Sequence, residues 1–199
     1  MKKSFTDSSG YIYDQAGVDR EKLAFLMELK NARRARVSQY VEKYPGAVFT
    51  PFDADAGYNP LWNHPADCAF PSATQNEINA VDAQNLVNNG IIAVSEGANM
   101  PTMPAGIDIF LESGILYGLG KAANAGGVAV SGLEMTQNSM RLCWTRQEVD
   151  NRLKMIMHSI HKTCLEAAEQ YGTPGNYVNG ANIAGFVKVA DAMIDQGVV

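Results

Sequence analysis

Residues 91–101 of this 199-residue chain read IIAVSEGANMP, a short apolar run followed by a turn of small and polar residues. Two further apolar runs, Asp67–Phe70 and Ile115–Tyr117, lie on either side of it along the chain. Helical patterns separate the three runs. This alternation is typical of βα units whose parallel sheet is buried on both faces. The sequence therefore predicts an α/β fold of the Rossmann-like type, with a mostly parallel sheet and flanking helices.

Capping signals place the helices between and after these strands. Asn79 and Gly90 predict the two ends of a helix over Ala80–Asn89, and Gly114 ends a second helix around Ala105–Ser113. Towards the C-terminus, a capping box at Thr145–Glu148 starts a helix to about Gln170, and a final helix ends before Gly197. Towards the N-terminus, we predict a short strand over Lys2–Thr6 and one long helix from about Asp19 to Tyr44. We divide the chain into an incomplete dinucleotide-binding domain, residues 1–145, and C-terminal helices, residues 146–199.

Composition limits the possible partners. The chain is 46% hydrophobic and 19% charged, and its formal net charge of -5 gives no bulk electrostatic help in binding nucleic acid. It contains no apolar run long enough to span a bilayer, and no apolar core of a signal peptide follows Lys2 and Lys3. We expect a cytoplasmic protein without nucleic-acid or membrane partners. The odd number of cysteines predicts reduced, buried thiols rather than disulfides.

Three turns would follow the carboxyl ends of successive strands, where open parallel sheets bind ligands. They span Pro71–Glu77, Glu96–Pro101 and Lys121–Gly127. Each combines small residues, which allow a ligand to approach the backbone, with an amide side chain that can donate and accept hydrogen bonds. The amides are those of Gln75, Asn99 and Asn124. Asn and Gly also simply favour turns, but three such turns on successive strands favour a cleft for a ligand such as a dinucleotide.

The N-terminal segment adds a possible anion site. Asp7 follows the predicted strand Lys2–Thr6, which would be the second strand of a dinucleotide fold. An acidic residue at the end of that strand can bind a ribose, and the serines beside it could bind a 2′-phosphate instead. Lys30, Arg33 and Arg36 are spaced by three on the helix predicted to follow. They could supply positive charge to a phosphate, or they could form an ordinary solvated basic face.

Metal binding and hydrolysis have weaker support. His158 and His161 are three residues apart with Glu166 nearby, but no clear third ligand accompanies them, so we predict no metal site. Ser131 lacks the glycine pattern of a hydrolase nucleophile.

The segments that carry chemistry resemble the coenzyme domain of NADP-dependent glutamate dehydrogenases over nearly the whole chain, from about Ser4 to Val199. The matching segments are Asp7–Gly10, Ala73–Glu77, Glu96–Pro101, Lys121–Gly127, Ser131–Met135 and Asn179–Phe186. The family interconverts L-glutamate with 2-oxoglutarate and ammonia by means of a nicotinamide dinucleotide. The resemblance therefore implies an oxidoreductase that uses NADP, with NAD less favoured.

The resemblance also implies roles for matched positions. The adenosine ribose and its 2′-phosphate would be surrounded by Asp7, Ser8, Lys30, Arg33 and Arg36. The coenzyme cleft would be lined by Thr74, Gln75, Gly97, Ala98 and Asn99. Asn124 would hold the nicotinamide carboxamide, while Val128 and Ser131 would face the substrate and the Ser131 hydroxyl would meet its distal carboxylate.

The chain departs from the family in its length. Family members are more than twice as long, and their substrate domain carries the lysines and the aspartate of the chemistry, so we expect no catalytic residue in this chain. The first strand and the glycine-rich pyrophosphate turn are also missing, which would expose strand edges on both sides of the gap.

We expect the chain alone to be inactive, and either unstable, closed across the gap or paired with another chain. The alternatives are a non-catalytic NADP(H)-binding or subunit-interaction module and a partial reading frame. Family members form homo-oligomers, whereas the state of this chain is open.

Overall fold

A computed structural model describes residues 2–197 of the chain. Its internal contacts divide the chain into two compact units, the first ending at Pro65 and the second beginning at Ala66. The division of the chain at residues 145 and 146 stays a prediction. Each unit is described in turn below.

The first unit contains a three-stranded antiparallel sheet in the order β1-β2-β3. Its strands are β1 (Ser4–Asp7), β2 (Gly10–Tyr13) and β3 (Val48–Pro51). Asp7 lies opposite Gly10, so β1 and β2 form a hairpin around Ser8 and Ser9. The predicted N-terminal strand is present. Among the described strands β1 pairs with β2, which runs antiparallel to it. The place of β1 as the second strand of a dinucleotide fold stays a prediction.

The prediction of one long helix from Asp19 to Tyr44 is wrong, because the helix is interrupted in the middle of this segment. Arg34 adopts a positive φ of 53°, which a helix cannot contain. The segments around the break are α1 (Arg20–Met27), a π-helical turn (Glu28–Ala32), a 3₁₀ turn (Val37–Gln39) and α2 (Tyr40–Lys43). Leu26 and Leu29 before the break and Val37 and Tyr40 after it all enter one core. The apolar spacing therefore continues although the helix does not.

The second unit contains the predicted parallel sheet, in the order β4-β5-β6. Its strands are β4 (Cys68–Ala69), β5 (Ala93–Ser95) and β6 (Leu116–Gly118). All three run parallel, which confirms the α/β fold class. The strands are short, and only Ala69, Val94 and Tyr117 are buried, whereas Leu116 is 70% exposed. The expectation that both faces of the sheet are buried is therefore wrong for the described residues.

Helices connect and follow these strands, and most of the predicted caps are present. The connecting helices are α3 (Ala80–Asn88) and α4 (Pro104–Ser113), and the long C-terminal pair are α7 (Arg146–Gln170) and α8 (Tyr177–Gln196). Asn79 and Thr145 both form capping boxes, and Gly114 ends its helix with a φ of 73°.

The segment Lys121–Gly127, predicted as a turn, is helical instead. It belongs to α5 (Gly120–Ala123) and α6 (Ala125–Met140), which meet at Asn124. A Cβ on Gly126 would lie 3.4 Å from a Leu153 methyl group of α7. That distance is an ordinary van der Waals contact, and a Cβ on Gly127 would meet no atom within 4 Å, so close packing requires neither glycine.

The remaining predictions concern thiols, metals and membranes. The three cysteines are free thiols. Cys164 is buried, but Cys68 and Cys143 are exposed, so the expectation of burial is wrong for these two. Within residues 2–197, no three His, Cys, Asp or Glu side chains cluster as metal ligands, and no helix is both long and apolar enough to cross a membrane.

Candidate functional site

A cleft of about 640 Å³ opens in the second unit beyond the carboxyl ends of β4 and β5. All five residues that the sequence assigned to a coenzyme cleft line it, together with two further small residues. The lining residues are Ser72, Ala73, Thr74, Gln75, Gly97, Ala98 and Asn99. Every one of these side chains is small or neutral, so the cleft suits a ligand that is recognised through its shape and through hydrogen bonds rather than through charge.

The side-chain amide of Asn124 lies against the loop that contains Ala98 and Asn99, at the edge of the cleft. Its Nδ2 donates to the carbonyl oxygen of Ala98 at 3.1 Å and to Oδ1 of Asn99 at 2.6 Å. A carbonyl can only accept, so the bond to Ala98 fixes which end of the Asn124 amide points there. Among the residues that the structure describes, none donates to Asn124 Oδ1 or accepts from Asn99 Nδ2. The pair therefore offers one acceptor and one donor.

The first loop of the cleft is shaped by Glu77. Its Oε2 accepts a hydrogen bond from the backbone N–H of Ala73 at 3.0 Å, which folds the loop back on itself. Burial raises the pKa of the Glu77 carboxyl above its ordinary value, and the backbone donors at Ala73 and Thr74 only partly oppose this effect. Glu77 thus holds the two exposed residues Thr74 and Gln75 at the mouth of the cleft.

In the first unit, each carboxylate oxygen of Asp7 accepts two hydrogen bonds from neighbouring residues. Its Oδ1 accepts from the backbone N–H and the hydroxyl of Ser9, and its Oδ2 accepts from Lys30 at 2.6 Å and from the Val37 N–H at 3.0 Å. Burial opposes ionisation, but these four donors outweigh it and hold the pKa of Asp7 well below its usual range. A ribose hydroxyl could reach this carboxylate only by replacing one of the four.

The three basic residues predicted to bind phosphate differ in their partners. Lys30 pairs with Asp7, and Arg33 pairs with Glu28 at 2.7 Å on the surface. Arg36 instead donates to the hydroxyl of Ser8, a neutral partner. Because the helix breaks at Arg34, the three do not form one helical face. Of the three, Arg36 is the one whose charge no described carboxylate neutralises.

Val128 and Ser131, the two predicted substrate residues, lie one turn apart on α6. Both are exposed, and Val128 is 74% accessible to solvent. His158 and His161 lie on α7, where the ring of His161 packs 5.6 Å from that of Tyr177. His161 is otherwise exposed.

A sequence profile of the Glutamate/Leucine/Phenylalanine/Valine dehydrogenase family matches residues 3–197. The chain belongs to this family. It is 56% identical to a glutamate dehydrogenase of Bacteroides thetaiotaomicron and 50% identical to the NADP-specific glutamate dehydrogenase of Escherichia coli, in each case over 98% of this chain and 42% of the relative. Other relatives are named for NADP, for NAD or for both. A crystal structure of Plasmodium falciparum glutamate dehydrogenase superposes with a TM-score of 0.91 at 43% identity, covering 99% of this chain and 41% of that one.

This member of the dehydrogenase family spans about 42% of the length of those two curated relatives. Sequence reasoning assigned five of the seven residues that line its cleft but overlooked Ser72 and Ala73. Both belong to the same predicted turn, Pro71–Glu77, so its small residues were the available signal. Sequence reasoning also gave no role to Glu96, which is 3% exposed and lies at the end of β5. An acidic residue directly after a buried strand was the signal in that case.

Proposed function

We propose that this chain is the coenzyme-binding part of an NADP-dependent glutamate dehydrogenase, a cytoplasmic enzyme that interconverts L-glutamate with 2-oxoglutarate and ammonia. The observation that carries the proposal is the cleft at the carboxyl ends of the parallel strands, lined by the residues that the family resemblance assigns to coenzyme. The family match over residues 3–197 supports the same reading. The isolated chain is inactive in this proposal, because the cleft is lined by neutral residues and offers no general acid or base.

The side chains at the cleft fit the nicotinamide end of the coenzyme. A carboxamide carries one acceptor oxygen and one donor NH₂, and Asn99 and Asn124 leave one donor and one acceptor for it. When bound, NADP(H) supplies hydride transfer at its nicotinamide ring. The chain's own residues bind and orient that ring, while Val128 and the Ser131 hydroxyl on α6 contact the substrate. Thr74, Gln75, Gly97 and Ala98 complete the walls.

The residues that the resemblance assigns to the adenosine ribose and its 2′-phosphate lie in the first unit. Ser8 and Arg36 contact the 2′-phosphate, and Asp7 acts mainly by holding Lys30 and the hairpin turn in place. Arg33 lies at the surface and would have to exchange its partner Glu28 for the phosphate. The preference for NADP over NAD rests on this set, because a 2′-phosphate gains charge-assisted hydrogen bonds that a 2′-hydroxyl does not.

The proposal is tested with a chimera in which this chain replaces the matching 42% of the Escherichia coli relative. We expect the purified chimera to reduce NADP⁺ in the presence of L-glutamate, and the isolated chain to show no rate above background. A folded chimera that binds neither coenzyme, or that binds NADPH without turnover of glutamate, contradicts the proposed function. A catalytically active isolated chain contradicts the claim that the acid-base chemistry lies elsewhere.

The chimera also gives a prediction for coenzyme selectivity. We expect Arg36→Ala to lower the ratio of kcat/KM for NADP⁺ to that for NAD⁺ by about 10- to 100-fold, the loss of one charge-assisted hydrogen bond. Steady-state rates with both coenzymes measure this ratio. Arg20→Ala, which removes the same charge at the exposed start of α1, is the matched control and should leave the ratio within about threefold. Equal ratios for Arg36→Ala and the unmodified chimera would overturn the assignment of Arg36.

A further inference from the structure

Glu96 is a buried residue with no assigned role in binding coenzyme, and both of its carboxylate oxygens accept hydrogen bonds. Oε1 accepts from the hydroxyl of Tyr117 at 2.6 Å, and Oε2 accepts from the backbone N–H of Gly120 at 2.6 Å. The side chain is 3% exposed. Burial, together with the hydrogen bond to Glu96, raises the pKa of the Tyr117 hydroxyl above its usual range, so Tyr117 remains a neutral donor. Glu96 therefore ties the end of β5 to β6 and to the start of α5.

The contact at Gly120 leads directly to the amide beside the cleft. Gly120 begins the single turn of α5, and its carbonyl oxygen accepts from the backbone N–H of Asn124 at 2.8 Å. The Asn124 side chain then returns to the loop after Glu96, where it donates to Ala98 and Asn99. The hydrogen bonds thus form a closed ring that starts and ends in the Glu96–Asn99 loop.

The ring is tight at Gly120. A Cβ on this residue would lie 2.6 Å from the carbonyl oxygen of Ala98 and 3.2 Å from Oε2 of Glu96. Only glycine allows the two segments to approach this closely, because a backbone carbonyl cannot move aside as a flexible side chain can. The close approach is what brings Asn124 within reach of Ala98.

We propose that Glu96 is a positioning residue that sets the orientation of the Asn124 amide through Gly120 and α5. Its carboxylate anchors the N-terminus of α5, so the Asn124 amide keeps Nδ2 on Ala98 and leaves Oδ1 facing the ligand. The part of the proposal that concerns coenzyme rests on the proposed function above, whereas the coupling between Glu96 and Asn124 does not.

The coupling is tested in the 199-residue chain without ligand. We expect the side-chain NH₂ protons of Asn124 to exchange with water about three- to tenfold faster in Glu96→Met than in the unmodified chain, the loss of roughly one net hydrogen bond. Met fills a similar volume without polar atoms, so the variant should fold. Glu96→Gln should restore slow exchange, because its Oε1 can still accept from Gly120. Nuclear magnetic resonance with isotope-labelled asparagine side chains measures the rates.

Tyr117→Phe separates positioning from simple loss of stability. This variant removes the other partner of Glu96 but leaves the bond to Gly120, so Asn124 exchange should match the unmodified chain. Slow exchange of Asn124 in a folded Glu96→Met variant overturns the proposal. Fast exchange in Tyr117→Phe overturns it as well, and that test holds even if Glu96→Met does not fold.

The consequence for coenzyme is tested in the chimera with an analogue of NADP⁺ whose amide NH₂ is replaced by a methyl group. The unmodified chimera should bind NADP⁺ about three- to tenfold more tightly than the analogue, because only the NH₂ can donate to Asn124 Oδ1. Glu96→Met should bring the two Kd values together, and Glu96→Gln and Tyr117→Phe should keep them apart. A purely structural role would weaken both ligands equally, which contradicts the proposal. If the coupling is present in the chain but the chimera binds neither ligand, the proposed function fails and the coupling stands.

Discussion

Replacing Gly180 by alanine is expected to destabilise the second unit by about 3 kcal/mol, an overpacking effect at the upper end of its usual range. Gly180 is buried in the first turn of α8, against α7. A Cβ at this position would lie 2.0 Å from the carbonyl oxygen of Cys164 and 3.1 Å from the Cβ of Ala168. The carbonyl belongs to the backbone of a 25-residue helix, so α7 and α8 must separate to accept the methyl group.

Thermal unfolding followed by circular dichroism at 222 nm measures this effect, which corresponds to a fall in Tm of roughly 10 °C. Gly185→Ala is the matched control, since it lies in the same helix and an added Cβ there meets no atom within 4 Å. Alanine at Gly185 should raise stability by about 0.5 to 1 kcal/mol, because alanine has the higher helix propensity. Similar unfolding of the two variants would show that α7 and α8 are not packed this closely.

Asp14→Asn is expected to destabilise the first unit by about 2 to 3 kcal/mol, because the buried carboxylate accepts hydrogen bonds from charged and neutral donors while its partner Lys22 is 19% exposed. The Asp14 side chain is 3% exposed. Its Oδ2 accepts from Lys22 at 2.7 Å and from the Tyr40 hydroxyl at 2.9 Å, and its Oδ1 accepts from the Ala16 N–H. An amide cannot carry the charge that Lys22 pairs with, and its NH₂ would face a donor. Hydrogen exchange of the β2 amides measures the local free energy of opening, and Asp55→Asn, at an exposed position, should change it by less than about 0.5 kcal/mol.

The same carboxylate gives the first unit a defined dependence on pH. Burial opposes ionisation of Asp14, but the hydrogen bonds from Lys22 and Tyr40 and the charge of Lys22 outweigh it and lower the pKa. A lowered folded pKa means that the stabilisation is present above the unfolded value of about 3.9 and is lost as the pH falls through the folded value. The difference in stability between the unmodified chain and Asp14→Asn should therefore be full at pH 7 and shrink below about pH 4. A difference that does not depend on pH would contradict the ion pair.

The sequence predicted those parts of the fold that depend on local signals. The caps at Asn79, Gly114 and Thr145 are where the residue types predict them, because a cap needs only its own side chain or φ angle. The break at Arg34 left no such signal, since residues on both sides of it enter one core and keep a helical spacing. Strand β2 was missed for a related reason, as a four-residue strand takes its stability from pairing with β1 and β3 rather than from its own pattern.

The candidate site also has parts that local signals predict and parts that depend on contacts between distant segments. The family resemblance assigned Thr74, Gln75, Gly97, Ala98 and Asn99 to the cleft, and the turns that contain them were predicted from their place after apolar runs. The residue type and position of Glu96 marked it as a candidate, but its role could not be predicted, because that role depends on a contact with Gly120, 24 residues away along the chain. Nor could the sequence show that the Asp7 carboxylate accepts hydrogen bonds from Ser9, Lys30 and Val37. Such contacts arise only when the loops are folded against one another.

Hydrogen exchange of the chimera with and without NADPH tests most directly the claim that the strand-end cleft of the second unit binds coenzyme. The account predicts that NADPH slows backbone exchange in the loops that contain Ala73–Gln75 and Gly97–Asn99 and at the α5–α6 junction around Asn124. Residues in the middle of α7, remote in sequence from every assigned position, serve as the internal reference and should show little change. Binding of NADPH that leaves exchange at all three cleft segments unaltered would contradict the assignment of this cleft.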